Sequence, residues 1–234
     1  QKEEIQLDMN VIFQCDVPHL DTHLEFVLNG WYYKNRSGNN LPEGVILESL
    51  DKIAHEKPEL LKKYGELAHT SKDSLVALNT AFAKDGFFLY IPKNTVVEKP
   101  IQIINFLKAA RDAYTTQRNF IFIEEGADVK MIHCDHTLNL QTYLNNSVTE
   151  IFVGPGASFE YYAIQNQHNK TTSLNSVFVH QERDSRITTM NSTLHGGLIR
   201  NNLSIILDGE NAEANLFGMA FIDSQQHVDN FTQV

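Results

Sequence analysis

The sequence predicts an all-β chain of many short strands carrying a short helical insert near its N-terminus. Three observations lead there. Apolar, β-branched and aromatic runs with a period of two fill the chain after Gly86, turn-forming clusters recur between them at nearly constant spacing, and helical periodicity is confined to about residues 41–82.

The first forty residues, 1–40, read as the opening strands of the core. Residues 41–85 read as the helical insert. There Val45, Leu47, Leu50 and Ile53 are spaced as a short amphipathic segment, and Pro58 precedes Glu59-Leu60-Leu61, where a first helical turn tolerates proline. Ser71 or Asp73 can cap a following helix whose Leu75, Leu78 and Phe82 share one face. Residues 86–234 read as the main β core, with strands at Phe88–Ile91, Ile101–Ile104, Phe120–Ile123, Val129–Ile132, Glu150–Val153 and Ser204–Leu207.

The connections between strands carry the architecture. Pro92-Lys93-Asn94-Thr95, Glu124-Glu125-Gly126-Ala127, Gly154-Pro155-Gly156-Ala157, Gln181 to Ser185 and Asp208 to Ala212 each follow an apolar strand and precede an alternating one. If Thr95, Ala127, Ala157, Ser185 and Ala212 are equivalent, they lie 32, 30, 28 and 27 residues apart. A small residue at a fixed corner suits a solenoid, whose units bury their apolar faces only by stacking on one another. Glu125-Gly126 and Asp208-Gly209 are also hairpin signals, so periodicity leaves an antiparallel sandwich open.

Composition narrows the function. A formal net charge of −10, from 29 acidic against 19 basic residues, opposes binding to nucleic acid or to an anionic membrane. No apolar stretch approaches the roughly 18 residues that span a bilayer. The two cysteines, Cys15 and Cys134, are too far apart for a metal-binding pair and too few for a disulfide framework, which points to a reducing, cytoplasmic setting. The sequence opens at Gln1 and stops at Val234 as though cut at both ends. Raw solenoid ends would favour self-association, for example as a homodimer, which light scattering at high concentration would check.

Chemistry-bearing motifs are sparse. His133-Cys134-Asp135-His136 offers several ligand types, but on a strand His133 and Asp135 face one way and Cys134 and His136 the other; the expectation is a solvated strand end with one buried cysteine and no metal. His168, His180 and His195 add imidazoles without the spacing of a cupin, so a cupin-like metal-dependent enzyme is the runner-up reading. Gly154-Pro155-Gly156 and Gly196-Gly197 lack a phosphate loop's strand-to-helix context, and no nucleophile elbow is present. A carbohydrate-active site would need several acids on one face, and none is apparent.

Other runs are more specific. Leu41-Pro42-Glu43-Gly44-Val45, Val76-Ala77-Leu78-Asn79-Thr80-Ala81-Phe82, Asp85-Gly86-Phe87-Phe88-Leu89-Tyr90-Ile91-Pro92-Lys93 with Glu98-Lys99-Pro100-Ile101, Asp208-Gly209-Glu210 and Gln226-His227-Val228-Asp229-Asn230 closely resemble the SufB/SufD family of iron–sulfur cluster assembly proteins. The likeness extends over nearly the whole chain and is nearest to the SufD branch, because the cysteine-bearing stretches of SufB are not apparent. It implies a right-handed parallel β-helix core. It further implies a non-catalytic cytoplasmic scaffold that pairs with a SufB-like subunit, with a SufC-like ATPase engaging each. The complex would handle the cluster, and this subunit would bind no cofactor stably. The family's amino-terminal and carboxy-terminal helical regions are missing, so no SufC-binding residue can be carried over. His227 and Asp229 are the nearest candidates for an interface role.

Overall fold

Each rung of this molecule is one strand in each of two sheets, joined by corners. The computed structural model describes residues 20–34 and 40–234, so Cys15 lies outside the described residues. The strands are β1 (His23–Leu28), β2 (Trp31–Tyr33), β3 (Ile46–Ser49), β4 (Phe87–Ile91), β5 (Val96–Leu107), β6 (Ala113–Ile123), β7 (Asp128–Thr137), β8 (Tyr143–Val153), β9 (Ser158–Asn166), β10 (Thr171–Gln181), β11 (Arg186–His195), β12 (Leu198–Leu207), β13 (Glu213–Ala220) and β14 (His227–Gln233). One sheet runs β13-β11-β9-β7-β5-β1-β2 and the other β14-β12-β10-β8-β6-β4-β3.

From β4 and β5 onward every pairing is parallel, giving a β-solenoid of about 5 turns; only β1–β2 and β3–β4 are antiparallel. The solenoid, and not the sandwich, is therefore the fold.

The recurring turns form one corner. Just before the small corner residue, Asn94, Gly126, Gly156, Asp184 and Asn211 all have positive φ, from 54° to 66°. Glycine, asparagine and aspartate tolerate that left-handed conformation best. The ladder continues through the corner: the Asn94 amide donates to the Glu125 carbonyl at 2.9 Å, Gly126 to Pro155 at 2.9 Å, Gly156 to Arg183 at 3.0 Å and Asp184 to Glu210 at 2.8 Å. One residue later, Ala127, Ala157 and Ser185 are each only 1% exposed, since each side chain turns into the crowded end of the core. The opposite corner varies in length and shrinks to Gly196-Gly197 between β11 and β12; a Cβ on Gly197 would sit 2.1 Å from the Asn169 carbonyl oxygen.

Inside, Val97, Val129, Phe159 and Ile187 from one sheet face Leu89, Ile121, Ile151, Val179 and Ile205 from the other. This is a continuous apolar column, repeated at rung spacing, and its burial supplies the main driving force for stacking.

The segment before β4 is more mixed than its sequence pattern suggests. Val45, Leu47, Leu50 and Ile53 do not form one amphipathic unit, because Ile46–Ser49 pairs with β4 as β3 and helix α1 begins only at Leu50 (Leu50–Glu56). The Ser49 hydroxyl accepts from the Lys52 amide and donates to Asp85 at 2.8 Å. Asp85 also accepts from the amides of Tyr32 and Asp51, so it ties β2, β3 and α1 together. A 3-10 turn follows at Pro58–Leu61, and Asp73 caps helix α2 (Ser74–Phe82) by accepting from the Leu75 and Val76 amides.

The buried face of α2 carries Val76 and Asn79, not the Leu75–Leu78–Phe82 stripe, and Phe82 is 57% exposed. The reason is polar: the Asn79 carboxamide, fully buried, donates to the carbonyls of Gln117 and Asn146 at 3.0 and 2.9 Å, stitching the helix to β6 and β8. Between the helices, the chain is held by one carboxylate. Glu150 accepts from the amides of Gly65, Leu67 and Ala68 and from Arg118 at 2.6 Å, with both side chains almost fully buried. The Arg118 guanidinium also stacks on Tyr64, 5.1 Å from its ring centre.

Glu150→Ala therefore removes the acceptor of one Arg118 terminal nitrogen and of three amides, and leaves the buried guanidinium without its counter-charge. It is expected to destabilise the fold by about 3–5 kcal/mol in urea unfolding. Lys93→Ala, which breaks the exposed Lys93–Glu125 pair at 3.1 Å, should change stability by less than about 1 kcal/mol.

Candidate functional site

The solenoid's interior is apolar near the left-handed corner and polar toward the opposite one. The register Asn105, Asp135, Gln165, Thr193 places one inward column on the first sheet. Thr115, Asn145 and Ser173 form its counterpart on the second. The members bind along the axis: Asn105 donates to Asp135 at 2.8 Å, Thr193 to Gln165 at 2.7 Å, Thr115 to Asn145 at 2.9 Å and Asn145 to Ser173 at 3.3 Å. Side chains that repeat every rung can partner one another, which offsets much of the penalty of burying them, although Asn105 Oδ1 is left without a partner.

Within this half lies a cavity of about 200 Å³ lined by His133, Tyr161, Asn191, Asn201, Phe217 and Phe231 among others. His133, Asp135 and Tyr161 are titratable groups of its lining. The His133 ring is buried, Nδ1 lies 2.9 Å from the Tyr161 hydroxyl and Nε2 lies 3.9 Å from the Asp135 carboxylate. That carboxylate favours the tautomer with the proton on Nε2, so the Tyr161 hydroxyl donates to Nδ1. Burial pushes the His133 pKa below its ordinary value, with Asp135 opposing the shift, and pushes the Tyr161 hydroxyl far up. Both stay neutral near pH 7.

The expected solvated strand end at His133–His136 is thus corrected. His133, Cys134 and Asp135 are 5%, 2% and 6% exposed. The alternation itself holds: His133 and Asp135 face inward, while Cys134 packs outward against Phe26, Ile104 and Phe106. On the outer face Cys134 is covered by these neighbours on β1 and β5, contacts invisible from four residues alone. His180 continues the outer column Tyr90, Phe122, Phe152 and binds Asp208 at 3.0 Å. His168 and His195 stand with His136 at the variable corner. These histidines do not meet in one centre.

His227 and Asp229 both lie on β14, two residues apart and so on one face. The His227 amide donates to the Gly197 carbonyl at 2.9 Å, and Asp229 pairs with Arg200 at 2.9 Å on the neighbouring strand. Their side chains are far in sequence and in rung order from His133. Sequence reasoning missed Tyr161, Asn79 and the Arg118–Glu150 pair. Glu150 carried a signal: it takes a place in the outward column Phe88, Phe120, Phe178, where a lone carboxylate needs a buried partner.

His133 yields a pH dependence. In the unfolded chain it takes up a proton near pH 6.5, whereas the folded site resists it, so the unfolded state binds more protons as pH falls below that value. Stability is full above about pH 6.5 and declines below it. His23, also depressed by burial, acts in the same sense. His133→Gln is expected to flatten the fall in urea midpoint between about pH 7.5 and 5.5; an unchanged slope would remove His133 from this role.

Residues 1–103 match the family model for the SufBD protein N-terminal region, and residues 106–234 match that for the SUF system FeS cluster assembly SufBD core domain. The junction falls within β5, so the two matched regions share the same sheets. Iron-sulfur cluster assembly SufBD family proteins of Staphylococcus haemolyticus, Staphylococcus aureus strain MRSA252 and Staphylococcus epidermidis are each 27% identical to the chain over 199 to 201 residues. Each alignment covers 84% of this chain, which spans 43% of the relative's length. Stacked parallel rungs and two family regions that together cover nearly all of the sequence make this chain a member of the SufBD family of iron–sulfur cluster assembly proteins.

Proposed function

We propose that the chain is part of a SufD-like, non-catalytic scaffold of the SUF system, which pairs with a SufB-like subunit and supports cluster assembly driven by a SufC-like ATPase. The observation that carries this reading is the match to the SufBD core, laid on a solenoid whose stacked parallel rungs form two continuous sheet faces. Such faces suit docking to another rigid protein, since little conformational freedom is lost on association. The SufD-like assignment is supported by the cysteines: the described residues hold one cysteine, Cys134, which is in no disulfide, lies buried in an apolar cluster and is poorly placed to hand on sulfur or iron. The cluster would then be built by the complex, with no cofactor held stably by this chain. Among the described residues no helix is long and apolar enough to cross a membrane, in keeping with a cytoplasmic complex.

The test is affinity purification of the intact protein from its own cells under anaerobic conditions, with partner identification and a count of iron per complex. A SufB-like and a SufC-like subunit should come with it in fixed proportion. Recovery of the protein alone, or as a homodimer only, would contradict the reading. Within that complex, His227→Ala and Asp229→Ala should lower partner recovery; unchanged recovery and iron loading would remove both residues from the interface.

A further inference from the structure

We propose that the outer face of the second sheet, beside the left-handed corner, is a docking groove for an arginine-bearing segment of a protein partner, with Phe122 and Phe152 as its floor and Glu124 and Glu182 at its rim. Register places Tyr90, Phe122, Phe152, His180 and Ile206 in one outward column, one residue per rung. Ring centres along it lie 6.2 Å apart for Tyr90 and Phe122, 6.1 Å for Phe122 and Phe152 and 5.8 Å for Phe152 and His180. Two residues after Phe122, Phe152, His180 and Ile206 the chain reaches the corner, at Glu124, Gly154, Glu182 and Asp208.

The corner carboxylates serve the column one rung back. The Tyr90 hydroxyl donates to Glu124 at 3.2 Å, and His180 Nε2 lies 3.0 Å from Asp208. The pattern breaks above Phe122, where the corner position is Gly154. A Cβ there would sit 2.9 Å from the Glu124 carbonyl carbon and the Glu125 amide nitrogen, so a side chain is excluded. A cavity of about 250 Å³ remains, lined by Phe122, Phe152, Glu124, Glu125, Gly154 and Glu182 among others.

A cation of this chain already lies over the floor. The Lys63 ammonium is 5.1 Å from the centre of the Phe152 ring, 5.5 Å from that of Phe122 and 3.4 Å from a Glu182 carboxylate oxygen. Ring faces attract a cation, and the carboxylate adds to that attraction. The Lys63–Glu182 pair is long and its side chains are 38% and 37% exposed, so little free energy holds Lys63 in place. An arginine competes well for this position, because its planar guanidinium stacks on a ring and forks to a carboxylate. Charge selects the same occupant. The connections at this corner hold six acidic residues against Lys93 and Arg183, on a chain of net charge −10. Such a field draws a basic segment and opposes nucleic acid and anionic membranes. That the segment belongs to a protein of the assembly rests on the scaffold reading; the cation site itself does not.

The protein is titrated at about 0.15 M salt with a fluorescent tetra-arginine peptide, and with the uncharged tetra-citrulline peptide, by fluorescence anisotropy. Saturable binding of the arginine peptide alone is expected. Phe122→Leu and Glu182→Gln should each weaken it by ~3-fold or more. Lys63→Met should tighten it more than Lys62→Met, the same loss of charge at an exposed neighbour. Far-UV circular dichroism identifies any variant that fails to fold; if Phe122→Leu does, the two lysine variants decide. Equal binding of both peptides, indifference to both Phe122→Leu and Glu182→Gln, or equal effects of the two lysine variants would overturn the groove. Because this titration needs no partner, its failure is distinct from failure of the scaffold reading. In the purified assembly, photo-cross-linking from Phe122→p-benzoylphenylalanine tests the occupant. Attachment to a basic segment of a different protein is expected, whereas attachment only within this chain or to a second copy of it would overturn the assignment.

Discussion

The structure depends on the main-chain ladder between one rung and the next. Parallel pairing fixes each rung's residues opposite those of its neighbours, so whatever a position contributes is repeated along the axis. The ladder passes through the corner at Asn94, Gly126, Gly156 and Asp184, where a shared left-handed conformation keeps successive amides aimed at successive carbonyls. A residue unable to adopt that conformation at one rung would misalign the strands on both sides of it.

Repetition also explains how the interior tolerates two chemistries. Near the left-handed corner identical apolar contacts recur and exclude water. Toward the other corner, amides and hydroxyls recur, and the nearest partner of each is its counterpart one rung away. Where the column changes character, as at His133 between Ile103 and Ala163, the neighbours cannot reciprocate. That is where the cavity and the perturbed histidine appear. The helical segment is subject to the same logic from outside, since Asn79 and Glu150 capture backbone groups that the sheet cannot supply.

Much of this was legible in the residues. The five small corner residues and their spacing identified equivalent points on successive rungs, because backbone geometry restricts what those positions accept. Strand alternation placed His133 and Asp135 on one face and Cys134 on the other. Periodicity did not distinguish parallel from antiparallel pairing, since both require alternating strands and glycine-bearing turns; the motif resemblance did. The buried state of His133–Asp135 was hidden for a related reason, as local sequence does not say how many rungs lie on either side. For α2, the apolar stripe misled because a polar side chain, Asn79, makes the anchoring contacts.

Amide hydrogen exchange resolved by residue tests the ladder most directly. Exchange should be slowest in β6 to β9, which have a paired rung on both sides, and should quicken toward β14, with the corner amides of Gly126 and Gly156 protected along with the strands they join. Rapid exchange at those two glycines, or protection in β14 equal to that in β7, would contradict a structure held together rung upon rung.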